Sequence, residues 1–150
     1  MEDHDDDVFC IQGAFEKAGL KSRLIVVRGG TDAIAYLNGE GKFADRLMFP
    51  EPDILLLDIK MPDIDGFEVL SWLRRQDRYN QLTVHMLSGS SQQSDVQRAY
   101  DLQATSYIIK PDSAEDLIEF VSALQTLYRF IRLPQKPIFW DGRKRSLVTG

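Results

Sequence analysis

Residues 53–66, with the sequence DILLLDIKMPDIDG, carry the strongest structural signal in the chain. The apolar run 54–57 is too short for a helix and is apolar on both faces, which is typical of a buried parallel strand. Asp58 follows at the carboxyl end of that strand, where open α/β sheets gather their chemistry. Pro62 stiffens the next loop and Gly66 turns it. The segment therefore favours a reacting carboxylate over a simple helix cap.

Length and composition limit the alternatives. A chain of 150 residues that is 43% hydrophobic predicts one domain with a full core. The net charge of −5 gives no support for general nucleic-acid binding. Cys10 is the single cysteine, so an internal disulfide is excluded, and we expect it to be buried. No apolar stretch approaches the length of a membrane span and the N-terminus is acidic, so we expect a cytoplasmic protein.

Helical and strand patterns alternate along the chain. Strands are predicted at 24–27, at the run ending on Asp58, at 82–87 and at 107–109. Thr31 and Ser113 are the predicted N-caps of two of the helices between and after them. In the last helix the residues expected to face inward are Leu117, Phe120, Val121, Leu124, Leu127 and Ile131. This order predicts a doubly wound parallel α/β sheet with right-handed crossovers.

Three predicted strands end at polar residues, Asp58, Ser88 and Lys110, which this architecture brings to one rim. An acidic cluster that includes Glu2 and Asp3 lies before the first helix. Carboxylates gathered without matching cations favour a divalent cation, and Mg²⁺ prefers one or two carboxylates, a carbonyl and waters. A carboxylate can attack phosphorus, while a metal, a hydroxyl and an ammonium can hold the oxygens of a transferred phosphoryl group.

With these motifs in this order, the chain resembles the receiver domains of two-component response regulators over about residues 2–132. Glu2-Asp3 matches the family's acidic pair, and Leu57-Asp58 with Met61-Pro62 and Asp65-Gly66 matches the phosphoacceptor strand and loop. Ser88 stands at the hydroxyl position and Tyr107 at the aromatic switch position. Lys110-Pro111 matches the invariant Lys-Pro pair, whose peptide is usually cis in that family. The long loop 39–52 resembles small stand-alone receivers that serve phytochrome-type histidine kinases.

The resemblance implies a five-stranded, flavodoxin-like sheet of order 2-1-3-4-5. It implies that Asp58 accepts a phosphoryl group from a histidine kinase, with Mg²⁺ held by Asp3, Asp58, the Lys60 carbonyl and, through water, Glu2. Ser88 and Tyr107 would then switch a face used by a downstream protein, a phosphotransfer partner or a homodimer. The chain would catalyse only its own phosphorylation and dephosphorylation, and no nucleic acid or membrane partner is implied.

One departure concerns the first strand. Family members carry an apolar strand before the acidic pair, whereas only Met1 precedes Glu2 in this sequence. The first strand of the predicted sheet is therefore missing or replaced. Three explanations compete: the sequence has a truncated start, another segment fills the position of the strand, or the N-terminal motif is misaligned. We divide the chain into a receiver domain, 1–133, and a C-terminal tail, 134–150, whose short β-rich runs are candidates to occupy the vacant position or to interact with a partner.

Two other functions stay open at this point. A phosphatase of the haloacid dehalogenase type also uses an aspartate on a doubly wound sheet, but it needs a second acid where Lys60 stands. A receiver-like interaction module that is not phosphorylated is the alternative function. His85, within a strand, is expected to be a buried histidine with satisfied hydrogen bonds rather than a phosphate carrier. We expect the Lys60 side chain to overhang the phosphoryl group and to affect its lifetime.

Overall fold

The computed structural model describes residues 3–17 and 24–131, with side chains for residues 9–17 and 24–131. The tail 134–150 and its predicted roles lie outside these ranges. Five α-helices, three β-strands and a short 3-10 helix at Gly41–Phe43 are formed within them. In chain order the main elements are α1 (Asp3–Lys17), α2 (Gly30–Asn38), β1 (Ile54–Asp58), α3 (Gly66–Arg74), β2 (Thr83–Ser88), α4 (Gln93–Asp101), β3 (Ser106–Ile109) and α5 (Ala114–Phe130). None of the described helices is long and apolar enough to cross a membrane.

The strands form one parallel sheet in the order β1-β2-β3. Leu57 lies opposite Met86 and Asp58 opposite Leu87, so β1 and β2 end almost level. Ser88 lies opposite Ile109 at the end of β3, one residue before Lys110. A helix joins each strand to the next, as parallel strands require. The parallel α/β sheet expected from the sequence is thus formed over three strands of the described residues, and their three polar ends lie along one edge.

Alternate side chains of the strands face two helical layers. Leu57, Val84 and Met86 are buried in the main core with side chains of α2, α3 and α4. Leu56 and Leu87 face the other way, where they line a groove with residues of α1 and α5. Helix α1 packs against α5 on that side. Strand β1 is apolar on both faces because helices lie on both sides of the sheet, as the composition of residues 54–57 predicts.

The strand predicted at 24–27 is not formed, since residues 24–28 are irregular. A β-rich run becomes a strand only when a neighbour supplies hydrogen-bond partners. In the order 2-1-3-4-5 that neighbour is the first strand, and no residue within the described ranges forms it. The second and first strands of the expected five are therefore not part of the described sheet, and β1 is one of its edges.

Helix termini agree only in part with the sequence prediction. The Ser113 hydroxyl caps α5 by accepting a hydrogen bond from the Asp116 amide at 3.0 Å, as predicted. Thr31 is not an N-cap, because α2 begins at Gly30 and Gly29 is the residue before it. An unpredicted capping box starts α3: Asp65 accepts from the Glu68 amide, and the Glu68 carboxylate accepts from the Asp65 amide.

Three residues expected in the core are exposed. Leu127 and Ile131 were expected to face inward but are 53% and 38% exposed. Helix α5 spans 17 residues, roughly 25 Å, and so extends past a sheet whose strands have four to six residues. Cys10 is exposed rather than buried, because it lines the open groove between α1 and α5 instead of packing under a closed layer.

Candidate functional site

A lysine and an aspartate from the two outer strands meet at the carboxyl edge of the sheet. Lys110, directly after β3, places its Nζ atom 2.6 Å from Oδ2 of Asp58, the last residue of β1. Strand β2 lies between them, and its final carbonyl, on Ser88, accepts from the Lys110 amide at 2.8 Å. Both side chains are about one quarter exposed, so the ion pair is reachable from solvent. The Lys110–Pro111 peptide is trans, not cis as the resemblance implied.

The second oxygen of Asp58 is held by its own loop. The Lys60 amide donates to Oδ1 at 2.9 Å, while Oδ2 is paired with Lys110. An ionised carboxylate offers about four lone-pair positions, of which these two contacts use two. The carboxylate is thus oriented by two neighbours and keeps capacity to accept a cation or to attack an electrophile.

The loop after Asp58 is folded tightly back against the strand ends. The Ile59 amide donates to the carbonyl of Leu87 in β2 at 3.1 Å, and the Gly66 amide donates to the carbonyl of Ile59 at 3.0 Å. A β-carbon on Gly66 would lie 2.3 Å from the Asp58 carbonyl oxygen and 2.9 Å from Cα of Ile59. Only glycine permits this approach, so the Asp65-Gly66 pair both starts α3 and closes the loop.

Ser88 and Tyr107 meet at a common neighbour, Ser90. Ser88 is 2% exposed, and its hydroxyl oxygen accepts from the Ser90 amide at 3.0 Å. The Tyr107 hydroxyl donates to the Ser90 carbonyl at 2.8 Å. Ser88 and Tyr107 therefore both hold the β2–α4 loop, through hydrogen bonds to the backbone of Ser90.

The acidic pair predicted as metal ligands is not tested by this geometry. Glu2 lies outside the described residues, and Asp3 is described only as the first residue of α1, without its side chain. Among the side chains that are described, no group of three or more His, Cys, Asp or Glu residues is arranged to hold a metal ion. Of the predicted metal ligands, Asp58 is the one whose side chain is described at this edge.

Sequence reasoning overlooked Asp63, which joins the Asp58 loop to the start of α2. Its Oδ1 accepts from the Gly30 amide at 2.8 Å and its Oδ2 from the Thr31 amide at 2.9 Å. Hydrogen bonds from the Thr31 hydroxyl and from the amides of Ile64, Thr31 and Gly30 hold the pKa of Asp63 well below its usual range. The available signal was the Gly29-Gly30 pair, which marks a close approach of two backbones.

His85 is buried and fully engaged, as predicted. It is 6% exposed, with Nδ1 2.6 Å from the Ser106 hydroxyl and Nε2 hydrogen-bonded to the Tyr128 hydroxyl. Burial lowers the pKa of His85 below its ordinary value, which favours the neutral ring. His85 faces α5 and not the rim, so it contributes to packing between β2, β3 and α5 rather than to the Asp58 site.

Comparison with known proteins identifies the family of the chain. The family model described as "Response regulator receiver domain" matches residues 1–122. Among solved structures, response regulator RPA3017, in red light signalling of R. palustris, is 32% identical, with a TM-score of 0.82 over 88% of this chain and 93% of that one. The phosphorylated cyanobacterial phytochrome response regulator RcpA is 31% identical, with a TM-score of 0.79 over 90% and 95%.

A third solved structure is that of a metal-bound relative. The Mn²⁺-bound form of response regulator Rcp1, a protein of Synechocystis, is 27% identical, with a TM-score of 0.76 over 87% of this chain and 92% of that one. The family match covers well over half of the sequence and the three likenesses extend over almost all of each chain. The chain belongs to the response regulator receiver domain family of two-component signalling.

Proposed function

We propose that this chain is a single-domain response regulator that accepts a phosphoryl group on Asp58 from a histidine kinase and then switches a protein-protein interface. The observation that carries the proposal is the contact between Asp58 and Lys110 at the carboxyl edge of the sheet. It pairs a nucleophilic carboxylate with an ammonium group that can hold a phosphoryl oxygen. Membership of the receiver family and likeness to a phosphorylated relative support it.

The proposed transfer is a displacement at phosphorus. A carboxylate oxygen of Asp58 forms the new P–O bond, the P–N bond of the phosphohistidine breaks, and its electron pair leaves with the imidazole. Lys110 and the Ser88 hydroxyl are the protein groups proposed to hold the oxygens of the transferred group. The present Lys110 contact with Oδ2 would then pass to the phosphoryl group, which occupies the space in front of the carboxylate.

A hard divalent cation fits the described part of the donor set. Asp58 and the Lys60 carbonyl offer only oxygen, the ligand type that Mg²⁺ and Mn²⁺ share. Asp3, and Glu2 through water, are proposed to complete the set. When bound, Mg²⁺ would offset the negative charge that gathers as the carboxylate meets the phosphoryl group. A Mn²⁺-bound relative is consistent with this assignment.

The proposed switch starts at the β2–α4 loop. The phosphoryl dianion on Asp58 would attract the Ser88 hydroxyl. In the unphosphorylated structure this hydroxyl accepts a hydrogen bond from the Ser90 amide. Moving Ser88 alters that loop and therefore the Ser90 carbonyl that Tyr107 binds. The resulting population shift would appear on the face of α4, β3 and α5, where Tyr100 and Ile109 are 48% and 54% exposed. The partner that binds this face would be a downstream protein, a phosphotransfer partner or a second copy of this chain.

Intact-mass spectrometry after incubation with Mg²⁺ and a small acyl phosphate tests the proposal. We expect a single phosphoryl adduct in the wild-type chain and none in Asp58→Ala, and the same adduct from a phosphorylated histidine kinase. A chain that is folded by circular dichroism but gains no adduct from either donor would instead be an interaction module of receiver fold. A cytoplasmic location and an absence of other catalytic activity stay predictions.

A further inference from the structure

We propose that Asp63 is a positioning residue that fixes the loop carrying the Lys60 carbonyl by anchoring it to the N-terminus of α2. This inference rests on the proposed function, because positioning of that carbonyl matters only if a cation binds beside Asp58. The hydrogen bonds described for Asp63 do not include Asp58 or Lys60, and Asp63 lies five residues beyond the proposed phosphoacceptor. It therefore acts through the backbone of the loop.

The anchor includes a backbone hydrogen bond from one helix end to each carboxylate oxygen of Asp63. The Gly30 and Thr31 amides are 2.8 and 2.9 Å from the two carboxylate oxygens of Asp63. Amides in the first turn of a helix have no partner within the helix, and an anion there also meets the positive end of the helix dipole. No α2 side chain caps the helix, since Gly29 precedes it. Asp63 thus supplies a cap from a segment more than thirty residues away.

The two backbones approach so closely that only glycine fits between them. A β-carbon on Gly30 would lie 2.4 Å from the Ile64 carbonyl oxygen, and one on Gly29 would lie 2.9 Å from Oδ1 of Asp63. Gly29 also has a φ of +81°, which a residue with a side chain rarely adopts. The segments 29–30 and 63–64 are therefore closely packed against each other, beyond the hydrogen bonds from the Asp63 side chain.

The loop has fixed points on both sides of Lys60. Upstream, the Lys60 amide is bound to Oδ1 of Asp58, and downstream the Gly66 amide closes on the Ile59 carbonyl. Between them, Asp63 provides the hydrogen bonds that tie the loop to α2. Without them, the segment from Met61 to Ile64 gains alternative conformations, and the orientation of the Lys60 carbonyl is fixed less firmly.

The affinity for Mn²⁺ measures this role directly. We expect Asp63→Ala to raise the Mn²⁺ Kd by about three- to tenfold, less than the ten- to hundredfold typical of residues that touch a metal ligand directly. Titration of the free Mn²⁺ signal by electron paramagnetic resonance gives the Kd of the folded protein. With limiting Mg²⁺ the rate of phosphorylation should fall by the same factor, and saturating Mg²⁺ should restore it.

Two further variants separate positioning from stability. Asp63→Asn keeps the size of the side chain but replaces one acceptor oxygen by an amide group that cannot accept, so its Kd should fall between those of wild type and Asp63→Ala. Asp77→Ala, which removes an exposed aspartate from the turn after α3, should leave the Kd unchanged. If Asp63→Ala and Asp63→Asn lower the melting temperature while their Mn²⁺ Kd equals that of wild type, Asp63 only stabilises the fold and the proposal is overturned.

The wild-type chain distinguishes this failure from failure of the proposed function. A wild type that binds Mn²⁺ and forms the Asp58 adduct, beside Asp63 variants that do both equally well, overturns only the positioning role. A wild type that neither binds Mn²⁺ nor gains an adduct overturns the proposed function, and the role of Asp63 in cation binding with it.

Discussion

The amine of Lys110 lies 2.6 Å from Oδ2 of Asp58, although 52 residues separate them in the chain. They do not lie on neighbouring strands, because β2 runs between the strands that carry them. The distance therefore depends on the parallel register, in which Asp58 lies level with Leu87 and Ser88 level with Ile109. A slip of one residue in either pairing would separate the two groups.

We expect Lys110→Gln to lower the rate of phosphoadduct formation from a small acyl phosphate by about tenfold, because a donor to the phosphoryl oxygens is lost. The free energy of unfolding should change by no more than about 1 kcal/mol, since the ion pair is partly exposed. Intact mass gives the rate, and urea titration gives the stability.

Lys42→Gln is the matched control for that change. Lys42 also pairs with an aspartate, Asp32, at 2.6 Å, but neither residue is among those hydrogen-bonded to Asp58. It should leave the rate of adduct formation at the wild-type value. Equal losses in both lysine variants would mean that net charge, and not the contact with Asp58, controls the reaction.

Gly66→Ala tests the closure of the Asp58 loop. Its new β-carbon would lie 2.3 Å from the Asp58 carbonyl oxygen, a backbone atom that cannot move aside, so we expect a loss of about 1–3 kcal/mol in the free energy of unfolding. Gly13→Ala, in α1, is the control, because a β-carbon there would meet no described atom outside its own helix within 4 Å, and alanine is a better helix former than glycine. It should gain roughly 0.5–1 kcal/mol, and urea titration of both variants distinguishes the two signs.

The sequence predicted correctly those features that depend on apolar composition, on a contact between residues close in the chain, or on a general rule of parallel sheets. Strand β1 is apolar at every position before Asp58, so its place between two helical layers follows from composition alone; Leu57 is buried and the other three apolar residues are partly buried. Ser113 caps α5 through an amide three residues away, a contact that the sequence shows directly. The convergence of Asp58 and Lys110 followed from the rule that parallel strands end at one rim.

The predictions that failed depended on partners distant in the chain. Residues 24–27 have the composition of a strand but no described neighbour to pair with. Thr31 has the chemistry of an N-cap, yet the acceptor that serves α2 is Asp63, 32 residues further on. Leu127 follows the helical period of the inward face but is 53% exposed, without a described layer that covers it. The helical period of apolar residues indicates which way a side chain points. It does not indicate whether another element packs against that side chain.

Because His85 is buried, we expect the free energy of unfolding to depend on pH. Burial lowers its pKa in the folded chain below the ordinary value of 6.5, so the unfolded chain takes up a proton first as the pH falls. Its contribution is complete above about pH 6.5, declines as the pH falls below that value, and is lost once the pH passes the folded pKa. Urea titrations at pH 7.5, 6.0 and 5.0 should show this loss in the wild type.

His85→Gln provides the comparison for the acid effect. Carboxylates titrate in both proteins, so the difference between the two pH profiles isolates the ring that binds Ser106 and Tyr128. We expect the variant to be less stable at pH 7.5 and the gap to narrow towards pH 5.0. Parallel profiles would mean that His85 keeps an ordinary pKa despite its burial.

Lys60→Ala addresses the lifetime of the proposed phosphoaspartate. The side chain of Lys60 is exposed beside Asp58, while its backbone supplies the amide that binds Oδ1 and the carbonyl proposed as a metal ligand. Removing the side chain leaves those backbone groups in place, so the rate of adduct formation should change little. An ammonium that overhangs the phosphoryl group affects the attack of water on it, so the rate of hydrolysis should change more. Both rates follow from intact mass against time, first with donor and then after its removal. Lys60→Arg, which keeps the charge, should lie nearer to the wild type, and equal effects of Lys60→Ala on the two rates would contradict this role.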